Sequence, residues 1–152
     1  MSYNDAKNKV LKVFEELNLS SDKFDNDITA LSGGERQRVA FVRGILSDFE
    51  VLFGDEPTGN LDKKTSMDVL NSVKGTLSRM NKSSLIVTHD PQLALSFGDG
   101  IILITPLVLD NGQTIGYISN KNMYFKQEER WYNSENSIIE SIDSIVFDAL
   151  NL

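Results

Sequence analysis

Apolar residues recur at the 3.6-residue period of an amphipathic helix in four stretches of the chain. The first runs from Val10 to Leu17 and precedes a polar loop, and the second begins at Ser32 and extends to Leu46. A third covers Lys63 to about Met80. The fourth, from Ile138 to Leu150, has a broad apolar face that needs a covering surface. Seven positions mark this face: Ile138, Ile139, Ile142, Ile145, Val146, Ala149 and Leu150.

Short continuous apolar runs predict strands between these helices. Val51–Phe53 and Ser84–Thr88 lie on either side of the third helix, which is typical of a strand-helix-strand unit with buried parallel strands. Asp90 and Pro91 follow the second strand as the N-cap and first residue of a short helix that ends near Leu95. The pattern therefore predicts an α/β core.

The last third of the chain predicts a hairpin and an aromatic segment. Residues 101–109 and 114–118 flank the turn sequence Asn111-Gly112, which favours a tight β-hairpin. A polar and aromatic segment follows, and its Trp131 and Tyr132 are expected to pack against the final helix.

The second helix opens with Ser32, Gly33, Gly34 and Glu35, which is the pattern of a capping box. The Ser32 side chain can accept from the amide three residues on, while Glu35 reaches back to the start of the helix. Ser32 and the amides of the two glycines also form a site where free amides and the helix dipole favour an anion. The segment therefore has two interpretations, a helix cap alone or a phosphate-binding turn.

Two adjacent carboxylates and a lone histidine follow the two predicted parallel strands. Asp55 is the type of carboxylate that holds Mg²⁺ directly or through water, and Glu56 would lie near an attacking water as a general base. His89, after the other strand, can donate to phosphate oxygens. Taken singly, the acids fit an acidic turn and the histidine a structural role. Together they meet the needs of hydrolytic phosphoryl transfer.

Length and charge narrow the classes of function. At 152 residues the chain fits one domain, and its net charge of -7 offers no broad basic surface, so no nucleic-acid partner is expected. The absence of cysteine suits a reducing compartment. The first residues lack a signal-peptide pattern, and no apolar run approaches the roughly 20 residues that cross a bilayer. A cytoplasmic location is expected, with any membrane association made through a partner.

Four segments resemble the motifs of ATP-binding cassette (ABC) ATPases, in the order of that family and near its spacing. Leu31–Arg38 is similar to the ABC signature, and Asp55–Thr58 to Walker B with the glutamate that follows it. Gly59–Asp62 resembles the D-loop, and Val87–Asp90 the segment with the switch histidine. The run Glu56–Asp62 is most similar to the cassettes of lipoprotein-release and macrolide-export transporters.

The resemblance implies an α/β fold: a partial P-loop NTPase core with parallel strands and flanking helices, a signature helical subdomain, a C-terminal β-hairpin and a helix. Residues 1–118 are then expected to be the C-terminal portion of an ABC ATPase domain. Residues 119–152 are expected to be a C-terminal extension with an amphipathic helix.

The resemblance also implies ATP and Mg²⁺ as ligands and assigns roles to the matched positions. Glu56 and His89 would be catalytic, and Asp55 would hold the metal. In the family two cassettes enclose two ATP molecules, so the signature would serve the nucleotide of the partner cassette, while Asp55 and Glu56 would serve a P-loop in cis. The residues expected to contact nucleotide are Ser32, Gly33, Gly34, Glu35 and Asp62.

The Walker A P-loop of the family is not found within the 152 residues. None of the ten glycines begins the sequence Gly, four residues, Gly, Lys and Ser or Thr. The nearest spacing, Gly54 to Gly59, is followed by Asn60 and Leu61. The P-loop, glutamine loop and adenine-stacking aromatic of the family are expected to precede Met1. Activity as an ABC-type ATPase is therefore left open, and the isolated chain is expected to be inactive.

The leading interpretation is the C-terminal part of an ABC transporter ATP-binding subunit, coupling ATP binding and hydrolysis to transport. Its expected partners are a second cassette, identical or different, and an integral membrane transporter subunit. It would lie in the cytoplasm, peripheral at the inner face of the cell membrane. The alternative is a non-catalytic module, or one half of a split cassette that another polypeptide completes. A DNA-repair or ribosome-associated ABC ATPase is disfavoured by the acidic charge and by Gly59-Asn60-Leu61.

Overall fold

In the computed structural model, which describes residues 2–150, the chain divides into two units, Met1–Thr88 and His89–Leu152. Among the described residues, the first holds three α-helices and two parallel strands, and the second holds antiparallel strands and two α-helices. No helix within the described range is both long enough and apolar enough to cross a bilayer.

The three helices of the first unit are α1 (Tyr3–Glu16), α2 (Gly33–Ile45) and α3 (Lys63–Arg79). Each begins at a side-chain N-cap that accepts from an amide left without a partner in the first turn. The helices predicted from the apolar period are therefore confirmed. The unit buries Val13, Phe14, Leu17, Phe41, Val42, Ile45, Val69, Leu70, Val73 and Leu77.

Strands β1 (Val51–Asp55) and β2 (Ser83–Val87) pair in parallel. Their register places Val51 opposite Ser83 and Asp55 opposite Val87, so both strands end at the same edge of the sheet. Helix α3 connects the two strands and contacts β2. The predicted strand-helix-strand unit is therefore confirmed, and it brings the residues that follow each strand to one edge.

The predicted burial of these strands is wrong for one of their two faces. Val51, Phe53, Leu85 and Val87 alternate along that face, with exposed fractions of 41, 73, 45 and 49%. Continuous apolar runs are typical of parallel strands covered on both faces. Within the first unit, the apolar side chains on this face stay exposed.

The second unit begins with helix α4 (Pro91–Phe97), capped by Asp90. An antiparallel sheet of order β3-β6-β7-β8 and a separate hairpin β4-β5 follow, and helix α5 contacts α4. The bounds are β3 Gly100–Ile102, β4 Thr105–Val108, β5 Thr114–Tyr117, β6 Met123–Gln127, β7 Arg130–Asn133, β8 Ile138–Ile139 and α5 Ile142–Leu150.

The hairpin is shorter than predicted, because its first strand is divided. Residues Gly100–Ile102 pair with β6, and only from Thr105 does the chain pair with β5. Burial explains the division, since Ile101 packs in the core beside Tyr124 while the hairpin lies apart from that sheet. The chain turns at the predicted place, but the turn is longer than the predicted Asn-Gly turn, since Val108 and Thr114 are the last paired residues. Gly112 has a φ of +79°, which favours glycine, and its amide donates to Leu109 O at 2.8 Å.

The final helix begins four residues later than its apolar pattern predicts. Ile138 and Ile139 form β8, opposite Tyr132 and Trp131, and the helix proper starts at Ile142. An isoleucine pair suits a strand as well as a helix, and pairing with β7 decides the outcome. The helical period alone does not separate the two states.

One face of this sheet packs against helices α4 and α5. Trp131 is buried with Ile142 and Val146, which confirms that it packs against the final helix. Side chains alternate along β7, so Tyr132 lies on the opposite face of the sheet, paired with Phe125 and Ile138. This sheet pairs β3, which lies before residue 118, with β6, which lies after it. The assignment of residues 1–118 to a cassette and of residues 119–152 to an extension stays a prediction.

We expect Ile142→Asp to lower the free energy of unfolding of the second unit by about 3–5 kcal/mol, because it removes a buried apolar side chain and buries a carboxylate. Ser144→Asp adds the same charge at an exposed position of α5 and should cost less than about 0.5 kcal/mol. Urea unfolding followed by the fluorescence of Trp131 measures both. Equal effects of the two changes would show that α5 does not cover the sheet.

Candidate functional site

The start of α2 forms a complete capping box. The Glu35 amide donates to Ser32 Oγ at 3.2 Å, and the Ser32 amide donates to Glu35 Oε2 at 2.7 Å. The Ser32 amide is the main cause that lowers the pKa of Glu35, followed by the Ser32 hydroxyl and, among smaller effects, the nearby Lys23. Lys23 Nζ lies 3.5 Å from Glu35 Oε1. The predicted cap is confirmed, and its carboxylate is held in the ionised form.

Gly34 allows α2 and α3 to approach closely. A β-carbon at Gly34 would lie 2.8 Å from Thr65 Cγ2 of α3 and 3.3 Å from Arg38 Nη1. A β-carbon at Gly33 would meet Leu61 Cδ2 at 3.4 Å. Gly34 therefore makes room for the first turn of α3, while a β-carbon at Gly33 would make only an ordinary van der Waals contact with Leu61.

A cleft of about 410 Å³ lies where the N-termini of α2 and α3 meet. The amides of Gly33 and Gly34 occupy the first two positions of α2, where no carbonyl within the helix can accept from them. Such amides at the positive end of a 13-residue helix favour an anion. The cleft is lined by Ser32, Gly33, Gly34, Arg38, Asn60, Leu61, Asp62 and Thr65.

Asp62 is the N-cap of α3 and lines the same cleft. Its Oδ1 accepts from the Thr65 amide at 3.0 Å, and its Oδ2 accepts from the Thr65 hydroxyl at 2.6 Å. The hydroxyl and then the amide of Thr65 lower the pKa of Asp62. The structure therefore brings Ser32, Gly33 and Gly34 into one cleft with the predicted D-loop residue Asp62, while Glu35 caps the helix and does not line the cleft.

Arg38, the last residue of the segment that resembles the ABC signature, also lines the cleft, although no site role was predicted for it. It lies one turn after Gly34, and its Nε is buried with no hydrogen-bond partner among the described residues. The four-residue spacing from Gly34 was the available signal, because side chains four apart share a helix face. Asn60 and Thr65 were missed as well, and their place in the cleft depends on the packing of α3.

Asp55 and Glu56 lie at the end of β1 and do not line this cleft. Asp55 is exposed and ends the strand, while Glu56 is half-buried with a φ of +42°, a left-handed conformation that is uncommon for residues other than glycine. The Glu56 amide donates to Val87 O at 2.9 Å, and the Gly59 amide donates to Glu56 O at 3.1 Å. Strained backbone of this kind clusters at functional sites.

His89 is the first residue of the second unit and is exposed. Every other predicted site residue belongs to the first unit. Within residues 2–150 no group of three or more His, Asp or Glu is arranged to hold a metal ion. The roles of Asp55 as a magnesium ligand and of Glu56 and His89 in catalysis stay predictions.

The sequence of this chain matches a family model and several known proteins. Residues 2–59 match the family model described as ABC transporter. The lipoprotein-releasing system ATP-binding protein LolD of Acinetobacter baylyi is 39% identical over 95 residues, which are 62% of this chain and 41% of that protein. Over this matched part, the chain is similar to the ATP-binding proteins of ABC transporters. The cleft is therefore interpreted by comparison with ABC proteins.

A second relative and a solved structure support the same class. The macrolide export ATP-binding/permease protein MacB of Syntrophobacter fumaroxidans is 42% identical over 73 residues, which are 48% of this chain and 10% of that protein. The dimeric structure of MJ0796, a bacterial ABC transporter cassette, aligns with 67% of this chain and 44% of its own, at 31% identity and a TM-score of 0.58. The chain therefore spans less than half the length of each of these proteins.

These findings confirm the α/β fold of a partial P-loop NTPase and the likeness to the lipoprotein-release and macrolide-export class. The ABC family implies ATP and Mg²⁺ as ligands. A cleft with uncommitted helix N-terminal amides fits the phosphates of a nucleotide, and an exposed carboxylate at a strand end fits a magnesium ligand.

We expect Glu35→Gln to reduce stability at neutral pH and not in acid. The substitution keeps a capping side chain but removes its charge. Because the pKa of Glu35 is lower in the folded chain, its carboxylate stabilises the fold above its ordinary pKa, near about 4.3, and this contribution is lost as the pH falls through the lowered value.

Urea unfolding between neutral pH and acid tests this expectation. The difference in unfolding free energy between the parent and Glu35→Gln should be largest near neutral pH and vanish below the lowered pKa. Glu15→Gln removes the same charge at an exposed position of α1 and is the control. A difference that stays constant with pH would contradict the electrostatic role of the capping box.

Proposed function

We propose that this chain is part of the ATP-binding subunit of an ABC transporter, in which ATP hydrolysis drives transport through an integral membrane partner. The observation that supports the proposal most strongly is the cleft between α2 and α3. It combines the signature residues with Asp62 at the meeting point of two helix N-termini. Such a cleft suits the phosphates of a nucleotide that a second cassette presents.

Two groups of residues have separate tasks in this proposal. Ser32 and the amides of Gly33 and Gly34 donate to phosphate oxygens of the nucleotide held by the second cassette. Glu56, at the end of β1, orients an attacking water and accepts its proton. The separation of Glu56 from the cleft agrees with this division, because the two groups would serve different nucleotides.

The remaining predicted residues complete the hydrolytic site. Asp55 would hold Mg²⁺, which when bound neutralises charge on the phosphates. His89 would donate to a phosphate oxygen and so stabilise the charge that develops there. Asp62 and Glu35 hold their helix starts in place, so their contribution to nucleotide contact is through the backbone that they orient.

The proposed partners are a second cassette and a membrane subunit, at the inner face of the cell membrane. MJ0796 is described as a dimeric cassette, and LolD is named for a lipoprotein-releasing system. MacB is named for macrolide export and as an ATP-binding/permease protein. By likeness to these proteins, we propose the export of a molecule or the extraction of a lipid-linked one as the process that is powered.

A second candidate function is one half of a split cassette that another polypeptide completes. The exposed apolar face of β1 and β2 favours it, since Phe53 is 73% exposed in the middle of a strand. Large apolar side chains aligned on one face mark an interaction surface. In this case a P-loop would come from the second polypeptide, and hydrolysis would require both.

We expect the isolated chain to show no ATP hydrolysis that depends on Glu56, because it has no P-loop lysine and amides to hold the β- and γ-phosphates. Steady-state phosphate release with Mg-ATP measures this. A contaminating ATPase would be insensitive to Glu56→Gln. Turnover that disappears in Glu56→Gln would therefore contradict the prediction.

When a P-loop-containing polypeptide is supplied, we expect hydrolysis to appear and Glu56→Gln to reduce it by about 10²- to 10⁴-fold. Replacing His89 by alanine should also reduce it. A rate within a few-fold of the parent for Glu56→Gln would remove the general-base role and leave the binding proposal standing.

In the assay with the P-loop-containing polypeptide, we expect Ser32→Arg to block hydrolysis by filling the cleft. Nucleotide binding to the P-loop of the same cassette, in cis, should persist. Ser78→Arg places the same side chain at an exposed position of α3 and should leave the rate unchanged. Parallel assays of nucleotide binding and phosphate release, in mixed dimers with one altered chain, separate the two effects. Loss of binding in cis for Ser32→Arg would contradict a role toward the partner's nucleotide.

A further inference from the structure

We propose that Thr88 is a positioning residue for the Glu56 carboxylate, an inference that rests on the proposed role of Glu56 as the general base. Thr88 follows β2 directly, and Glu56 follows β1 directly. Its hydroxyl donates to Glu56 Oε2 at an oxygen-oxygen distance of 3.5 Å. Thr88 lies within the segment Val87–Asp90, but the resemblance assigns a role only to His89 there. Thr88 does not line the cleft.

The register of the two strands creates this contact. Asp55 and Val87 are the last paired residues of β1 and β2. The Glu56 amide donates to Val87 O at 2.9 Å and so extends the backbone pairing one step beyond the strands. Glu56 and Thr88 are therefore neighbours because of backbone hydrogen bonds, whichever side-chain conformation each adopts.

Burial places the two side chains on one face. Exposed and half-buried residues alternate along both strands, and Glu56 and Thr88 continue the half-buried series. The opposite face carries the exposed Phe53 and Val87. The Thr88 hydroxyl thus approaches the carboxylate from the half-buried face of the two strands.

The backbone of Glu56 is held, while its side chain has three rotatable bonds. The amide and the carbonyl of Glu56 are both engaged, by Val87 and Gly59, and the residue has a φ of +42°. Such backbone restraint leaves the carboxylate to be oriented by a side-chain donor. Hydrogen bonds of catalytic groups are often long before substrate binds and shorten in the reacting complex, which agrees with a distance of 3.5 Å.

The role of the hydroxyl is tested directly in this chain by Thr88→Val, which has nearly the same shape, and Thr88→Ser, which retains the donor. Side-chain carbon relaxation in nuclear magnetic resonance reports the order of the Glu56 methylene groups. We expect order to fall in Thr88→Val and to remain in Thr88→Ser. Glu35, held by the Ser32 amide, is the internal reference and should not change. Should Thr88→Val fail to fold, Thr88→Ala replaces it in the same comparison.

The kinetic test uses the chain together with the P-loop-containing polypeptide. Thr88→Val should lower kcat by about tenfold with KM unchanged, since misplacing a catalytic group costs rate and not binding. Thr88→Ser should recover most of the rate. In the Glu56→Gln background, Thr88→Val should have no further effect, because the group that it orients is already gone.

The outcomes separate this inference from the proposed function. Equal Glu56 order in Thr88→Val and the parent overturns the positioning role, whatever the hydrolysis assay gives. Loss of order in Thr88→Val with no hydrolysis sensitive to Glu56→Gln overturns the proposed function and leaves the contact established. A rate loss that Thr88→Ser does not recover, or that persists in the Glu56→Gln background, assigns Thr88 a purely structural part and overturns the inference.

Discussion

The parallel pairing of β1 and β2 is the constraint on which the first unit depends. Parallel strands need a crossover, and α3 provides it while burying Val69, Leu70 and Val73 in the core. The pairing also fixes which residues meet at the carboxyl edge, since both strands run the same way in fixed register. Asp55, Glu56 and Thr88 share that edge because of backbone hydrogen bonds, before any side chain makes a contact.

The cleft between α2 and α3 depends on a second constraint, the lack of a side chain at Gly34. An alanine at Gly34 would bring a β-carbon within 2.8 Å of Thr65. Without that clearance the start of α3 could not lie against the start of α2, and Asp62 would not share a cleft with Ser32. Gly34 therefore serves packing within the chain, and both glycines leave helix amides accessible to an anion.

The second unit is built on antiparallel strands, whereas the first is built on parallel strands. Its four-stranded sheet is antiparallel, and one face is covered by α4 and α5 through Ile101, Trp131, Ile142 and Val146. The other face carries partly exposed apolar residues, among them Ile102, Phe125 and Ile138. Both units thus present apolar sheet faces.

The sequence alone determined the elements whose signals are local. The caps at Ser32 and Asp90, the helical periods of α1 to α3, the turn at Gly112 and the family motifs depend on residues close together in the chain, so their patterns could be interpreted directly. Tertiary structure decided the rest. Ile138 and Ile139 join β7 and not the final helix, Ile101 leaves the hairpin for β6, and Arg38 enters the cleft beside Gly34. These outcomes depend on partners distant in sequence, where pairing and burial outweigh a local preference that is equal for two structures.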